Sequence, residues 1–205
     1  MNYITFRETF KNAVLISKSD ILMHFPNFDN KNLTYWQKKW YIKKIIKNYY
    51  FFSDKNLQQE DLFFISNTIY FPAYISSYSA LQYYNLIPEQ VSVTLWVTTN
   101  STKSYNTSLW IFKYHTIKKE LFWWYSLKKI WNTHFYIADM EKCLLDFFYF
   151  HSSYKSKDDI KSLRLNYDIL KEHLDREKLL RYCDIYNSKT LKKTILLLLD
   201  IVDHA

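Results

Sequence analysis

The spacing of apolar residues changes along the first third of the chain, and each change marks a predicted element. Three apolar residues fall at helical spacing and predict a helix with a narrow buried stripe: Leu33, Trp36 and Trp40. Asp29 or Asn30 precedes them and suits an N-cap, because a short side-chain oxygen accepts from free backbone N–H groups. The runs 41–45 and 49–52 are strand-like, and Asn48 suits a left-handed turn between them.

A shorter helix is predicted just upstream of this stretch. Pro26 ends it, since proline disfavours helix before and at itself. Helix, tight turn, helix and hairpin then follow each other as in a winged helix-turn-helix, which presents a helix to a DNA groove. We therefore predict a DNA-binding domain over residues 1–70. Its other predicted helices span residues 4–12, 17–24 (capped by Ser17 or Ser19) and 58–69.

The period changes after Phe71-Pro72, and residues 71–205 predict a second domain. Alternation with β-branched residues is typical of strands. Strands are predicted at residues 91–98, 108–115, 121–128 and 135–137. Helices are predicted from Ser76 or Ser77 to Tyr84, over 140–150 with Asp139 as its cap, and near 165–173, 175–186 and 189–202. The fold class is thus α+β: a winged helix-turn-helix, then an α+β domain with a small, mostly antiparallel sheet and C-terminal helices.

Composition excludes several chemistries. The chain has no glycine, so it cannot carry a Walker A loop, a dinucleotide fingerprint, a glycine-rich kinase loop or a nucleophile elbow. Asparagine is expected to take most of the left-handed backbone positions instead, including Asn85 at a helix end. No cofactor is predicted.

Charge points to a partner for the first region. The formal net charge is +8, and residues 31–48 hold six lysines and no acid. A solvated face would also suit such a run, but the order of elements favours double-stranded operator DNA. An acidic membrane surface is the competing partner, but no amphipathic basic helix with the required apolar face stands out. The residues expected to contact it are Asn30, Lys31, Thr34, Tyr35 and Lys38 on the helix, and Lys44, Lys47 and Asn48 in the hairpin.

Cysteine use and apolar runs bear on the compartment. The two cysteines are too few for a disulfide scaffold. The N-terminus lacks the apolar stretch of a signal peptide, and the longest apolar run is short of a membrane span. A reduced, cytoplasmic protein without a membrane partner is expected.

Two motifs in the second region carry a resemblance to a known family. They are Pro72-Ala-Tyr-Ile-Ser-Ser-Tyr-Ser-Ala-Leu-Gln-Tyr-Tyr-Asn-Leu-Ile-Pro-Glu-Gln90 and Ile137-Ala-Asp-Met-Glu-Lys-Cys-Leu-Leu-Asp-Phe-Phe-Tyr149. With the hairpin Ile42-Lys-Lys-Ile-Ile-Lys-Asn-Tyr-Tyr50, they resemble the AbiEi family, the antitoxins of type IV toxin–antitoxin systems of phage defence. The resemblance spans roughly residues 15–200. Asn48 and Asn85 stand where the family has glycine, and Met140 where it has proline.

The resemblance implies a function and a partner. It implies a DNA-binding autorepressor joined to an antitoxin domain, and an operon partner that is a nucleotidyltransferase toxin, without a stable complex between them. It also marks Glu141, Lys142 and Asp146 as antitoxin-domain candidates, whose role is either antitoxin function or packing. The alternative is a transcription regulator whose second domain binds a ligand or a partner and which has no toxin.

An enzyme is the third alternative. Asp139-Met-Glu-Lys142 superficially suggests a nuclease, but acids at a helix start favour capping over metal binding. We expect that Asp139, Glu141 and Asp146 do not converge, that Glu141 and Asp146 have different surroundings, and that Lys142 and Asp146 pair with a gain of a few tenths of a kcal/mol. The six histidines show no metal spacing. No catalytic or metal-binding residue is therefore predicted.

Overall fold

The computed structural model describes residues 1–88, 93–107, 110–130 and 133–205. It is an α+β structure with a three-stranded and a six-stranded sheet. The first part contains α1 (Tyr3–Phe10), β1 (Ile16–Ser17), α2 (Lys18–His24), α3 (Lys31–Lys38), β2 (Ile42–Ile46) and β3 (Tyr49–Phe52). These three strands form an antiparallel sheet in the order β1-β3-β2.

Local signals account for the helix starts in this part. Ser17 and Asp20 form a capping box at α2, in which each side chain accepts from the other residue's backbone N–H. Asn30 stands at the N-cap of α3 without a side-chain capping bond, and the carboxylate of Asp29 before it accepts from the backbone N–H of Lys31 at 2.9 Å. The predicted helix, turn, helix and hairpin are therefore present in that order.

The phase of α3 is as predicted over its length, and wrong beyond it. Leu33 and Trp36 are buried, and the Trp36 ring lies 4.6 Å from that of Phe6 and 5.8 Å from that of Phe28. Trp40 does not continue the buried stripe. The helix ends at Lys38, and Trp40 takes a positive φ of 57° that turns its side chain into solvent.

The rest of the chain builds the larger sheet and most of the helices. Its elements are α4 (Gln59–Ile69), β4 (Ala73–Ile75), α5 (Ser77–Tyr83), β5 (Val93–Thr98), β6 (Lys103–Asn106), β7 (Ile111–Thr116), β8 (Tyr125–Ile130), β9 (Thr133–Ala138), α6 (Met140–Phe150), α7 (Lys157–Ser162), α8 (Tyr167–His173), α9 (Arg176–Ile185) and α10 (Lys189–His204). The strand order is β6-β7-β5-β4-β9-β8.

This sheet is larger than predicted and mixed. The β4–β9 and β5–β7 pairs are parallel, and the other pairs are antiparallel. Strands β4 and β6 and helix α7 were not predicted, because they are short and lack a periodic pattern. The beginnings of two predicted strands, residues 91–92 and 108–109, lie outside the described residues.

Buried apolar residues form two clusters. One lies within residues 6–52, around Phe6 and Trp36; the other extends from Val14 to Val202 and includes the six-stranded sheet. Helix α4 packs on β9, where the Asn67 side chain accepts from the backbone N–H of Tyr136 at 2.6 Å. The division into domains at residue 70 stays a prediction.

Left-handed backbone positions are shared among several residue types. Asn48 and Asn85 have positive φ, as predicted, and so does Asn187. Among the described residues, Trp40, Ser77, Trp124 and Arg164 also have positive φ. Asparagine therefore does not supply most of these positions, and the remaining four bear the steric cost of a Cβ atom.

In the described part of the chain, no helix combines the length and the apolar character that crossing a bilayer would require.

Candidate functional sites: a lysine surface and a buried polar cluster

The outer face of α3 carries the side chains that the sequence assigned to DNA. Helical periodicity turns Leu33 and Trp36 inward, so the opposite face is left to solvent. The residues exposed there are Asn30, Lys31, Thr34, Tyr35 and Lys38. Asn30 makes no side-chain capping bond, which leaves its amide available.

The hairpin places further lysines in solvent. Ile42 and Ile45 are both buried, but they belong to different apolar clusters, and the register of the hairpin shifts after Lys44. Lys44, Lys47 and Asn48 remain exposed. The turn is tied to α2, because the backbone N–H of Lys18 donates to the Asn48 carbonyl at 2.8 Å.

We call the six lysines of α3 and the hairpin the lysine surface. They are Lys31, Lys38, Lys39, Lys43, Lys44 and Lys47. None of them forms an ion pair with any residue that the structure describes, whereas Arg7 and Lys11 in the same region are paired with Asp54 and Glu8. Unpaired, solvated ammonium groups can exchange their counterions for phosphates.

Two exposed aromatic residues lie beside the lysine surface, and the sequence pattern did not predict them as a group. Tyr35 and Trp40 are 55% and 75% exposed, and the Lys39 ammonium lies 5.9 Å from the Tyr35 ring centroid. Helical spacing predicted Trp40 in the buried stripe, and this prediction is wrong. Its position after two consecutive lysines, at the predicted junction of helix and strand, was the available signal.

The second site is a buried polar cluster on α6. The Lys142 ammonium donates to Asp146 at 2.7 Å and to the Tyr186 hydroxyl at 2.5 Å, and both members of the ion pair are fully buried. The other carboxylate oxygen of Asp146 accepts from Tyr74 at 3.0 Å and from Ser76 at 2.7 Å. The cluster therefore joins β4, its following turn, α6 and the end of α9.

Burial governs the electrostatics of this cluster. It lowers the pKa of the Lys142 ammonium, although Asp146 opposes the shift. It also raises the pKa of the Tyr74 and Tyr186 hydroxyls, with the Asp146 carboxylate adding to the effect. The predicted pairing of Lys142 with Asp146 is confirmed. The predicted gain in free energy, a few tenths of a kcal/mol, applies to an exposed pair on a helix and does not apply to this buried one. In a buried pair, the cost of removing both charges from water is large and offsets the stronger attraction between them.

A second polar group lies at the start of α6. Asp139 caps the helix as predicted, accepting from the backbone N–H of Lys142 at 2.8 Å. The prediction that Asp139, Glu141 and Asp146 do not converge is wrong for one pair, because the Lys178 ammonium lies 2.9 Å from Asp139 and 2.7 Å from Glu141. Helix α9 brings that lysine from far along the chain. Glu141 and Asp146 do have different surroundings, as predicted.

This arrangement favours a structural ion pair over a metal site. Burial opposes the charge of Lys178, but hydrogen bonds to Glu141 and Asp139 outweigh it and raise its pKa. A cation already fills the space between the two carboxylates. Among the described residues, no group of three histidine, cysteine or acidic side chains is placed to hold a metal ion.

No protein-family model and no curated protein sequence matches this chain.

A cleft beside α5 was not predicted. It has a volume of about 710 Å³, within the size range of small-molecule sites. Its lining includes polar or charged side chains, namely Gln59, Glu60, Gln82, Asn85, Arg164 and Asn166, beside Tyr83, Ile87 and Pro88. Two of these residues, Asn85 and Arg164, have positive φ at the ends of helices, where the chain turns towards the cleft.

The cysteines show no sign of reactivity. Cys143 and Cys183 are both buried free thiols. Burial raises the pKa of Cys143, and it raises the pKa of Cys183 to about 11. Thiols in this state are protonated near neutral pH and are weak nucleophiles.

Proposed function

We propose that the chain is a DNA-binding transcriptional autorepressor whose N-terminal region contacts operator DNA. The observation that carries the proposal is the lysine surface: six lysines on one helix and the following hairpin, with no ion-pair partner among the described residues. A protein that gained only solubility from these charges would not need them on consecutive elements next to a helix-turn-helix.

The order of elements supports a winged helix-turn-helix reading. Helix α3 would enter the major groove with Lys31, Thr34 and Tyr35 towards the bases. Hairpin β2–β3 would act as the wing, with Lys44 and Lys47 on phosphates. Asn48, with φ of 70°, takes the tight turn between the strands.

We further propose that the chain is the antitoxin of a type IV system and counteracts a nucleotidyltransferase toxin in the cytoplasm, without a stable complex. The support is the pair of motifs at 72–90 and 137–149. Lys142 and Asp146 are fully buried, so their part in this proposal is to hold α6 against β4 and α9. They are not offered as residues that touch the toxin.

A titration with labelled duplex DNA tests the first proposal. Replacing Lys44 and Lys47 with alanine should lower the slope of log affinity against log salt by up to about two units, because each phosphate contact releases roughly one counterion. Lys118→Ala with Lys119→Ala is the matched control. It removes the same charge from two exposed lysines elsewhere and should leave the slope unchanged. Equal slopes for all three proteins would refute the wing contact.

Expression in cells tests the second proposal. The chain should restore growth to cells that express the neighbouring nucleotidyltransferase, and the Lys44→Ala, Lys47→Ala variant should still do so while no longer repressing its promoter. Purified protein should leave plasmid and RNA intact with magnesium or manganese. Failure to protect would remove the antitoxin role, and cleavage would favour a nuclease.

The cleft beside α5 favours one alternative, a regulator whose second domain binds a small ligand. This alternative predicts no adjacent toxin gene. It also predicts that Arg164→Ala abolishes the response of repression to the inducing compound while leaving DNA affinity intact. A toxin gene next door, with protection unaffected by Arg164→Ala, would count against it.

A further inference from the structure

Trp40 differs from the other tryptophans of the chain. Of the six that the structure describes, it alone is exposed, at 75%, whereas Trp36 in the preceding turn is 3% exposed. Tryptophan has a large apolar surface and is mostly buried in folded proteins. Its exposure here leaves that surface in water, which is unfavourable unless a partner covers it.

The backbone at this position does not require tryptophan. Trp40 donates its N–H to the Gln37 carbonyl at 3.1 Å, and the next residue donates to Trp36 at 2.9 Å, as in a helix ending that usually has glycine. A bulky residue with φ of 57° is an outlier, and such outliers gather at ligand contacts. Asparagine fills three other left-handed positions of this chain. Asparagine would fit this backbone position too, so the backbone does not explain why a tryptophan stands here.

The surroundings of Trp40 are basic and aromatic. It follows Lys38 and Lys39 directly, and Tyr35 lies one turn before them. Tyr41 stacks on Tyr3, with ring centroids 4.3 Å apart. Within the described ranges, by contrast, no ring packs against Trp40.

We propose that Trp40 stacks on a base of nucleic acid bound at the lysine surface. The inference rests on the proposed DNA binding and deepens it. Lysines attract the phosphate backbone, while an aromatic ring offers a stacking platform that any base can use. The acid-free run of residues 31–48 favours this partner over an apolar protein surface. In a duplex, the base pairs above and below cover the faces of each base. The lysine surface should therefore prefer DNA in which one base step unstacks easily.

The test compares the parent with Trp40→Gly and Trp40→Phe. Each is titrated at several salt concentrations with a labelled duplex that contains a short unpaired stretch. Trp40→Gly should bind about 5-fold to about 150-fold more weakly, and Trp40→Phe should keep most of the affinity. Both should keep the parent's salt slope, because stacking releases no counterions. Glycine suits a positive φ, so Trp40→Gly should melt no lower than the parent, which separates lost contact from unfolding.

The outcomes distinguish this inference from the proposed function. If the parent binds with a lysine-dependent salt slope and Trp40→Gly binds equally well, the stacking role is overturned and DNA binding stands. If the parent does not bind nucleic acid, both fail. Loss of self-association in Trp40→Gly with unchanged DNA affinity would overturn the inference in favour of a protein contact.

Discussion

Lysines serve opposite purposes in the two regions of this molecule. On α3 and the hairpin they are solvated and lack ion-pair partners among the described residues. On α6 and α9, Lys142 and Lys178 lie among carboxylates and hydroxyls at 2.5–2.9 Å. The first arrangement keeps charge available for a partner. The second uses charge to join distant segments, so the same side chain is free to meet the proposed DNA partner in one place and ties the structure together in the other.

The contrast between the two groups of lysines shows that a charged residue in a sequence can be interpreted only once its burial is known. Lys142 and Asp146 read as an ordinary surface pair four residues apart, but tertiary burial changes their energetics. A buried pair contributes little net stability when complete, because desolvation offsets attraction, yet removing one partner is costly. The lysine surface should behave in the opposite way: its removal should spare folding and impair binding.

The largest effect is expected from breaking the buried pair. Asp146→Ala should lower the free energy of unfolding by about 3–5 kcal/mol, because it leaves the Lys142 ammonium buried without its anion. Urea titration measures the loss. The double variant Lys142→Met, Asp146→Leu should recover the part of the loss that comes from the unpaired charge, but not the part that comes from the Tyr74, Ser76 and Tyr186 hydroxyls, which lose their acceptor.

An exposed pair provides the contrast for that experiment. Asp184→Ala removes the partner of Lys192 at the surface and should barely move the urea midpoint. An equally small effect of Asp146→Ala would mean that the cluster is hydrated and that the two regions do not differ as described.

A second prediction concerns the core beneath the lysine surface. Trp36→Ala should cost about 3–5 kcal/mol through the cavity it leaves beside Tyr3, Phe6 and Phe28. DNA binding should then be lost through unfolding. Tyr35→Ala, one residue earlier on the exposed face, should keep the parent's melting temperature. Similar melting of the two variants would show that the phase of α3 is wrong.

A smaller effect is expected where the backbone is left-handed beside the buried cluster. Ser77 has φ of 52°, and its buried hydroxyl has no hydrogen-bond partner among the described residues. Ser77→Gly should stabilise the protein by about 1 kcal/mol, since it relieves both costs. Asn48→Gly in the hairpin should change little, because asparagine tolerates this conformation. Thermal melting of the variants measures both effects. A lower melting temperature for Ser77→Gly would show that the backbone and hydroxyl of Ser77 are not a cost to the folded state.

Sequence periodicity recovered what depends on near neighbours. The phase of α3, the caps at Ser17 and Asp139 and the turn at Asn48 all follow from residues within four positions of each other. The buried cluster does not, since Tyr74 and Tyr186 reach Asp146 from 72 and 40 residues away. The bridge by Lys178 between Asp139 and Glu141 and the short strands β4 and β6 were missed for the same reason: tertiary contacts, rather than local pattern, create them.

The smallest effect is a pH dependence in the second region. Burial lowers the pKa of His115 below its usual 6.5, with the charges of His151 and Lys113 adding to the shift. The unfolded chain therefore takes up the proton more readily than the folded one. The stability that neutral His115 permits is present above pH 6.5 and is lost as pH falls through the folded-state pKa. His115→Gln should flatten this acid-side decline in urea midpoints measured between neutral and mildly acidic pH. An unchanged decline would mean that another titrating group, rather than His115, causes the loss of stability at acidic pH.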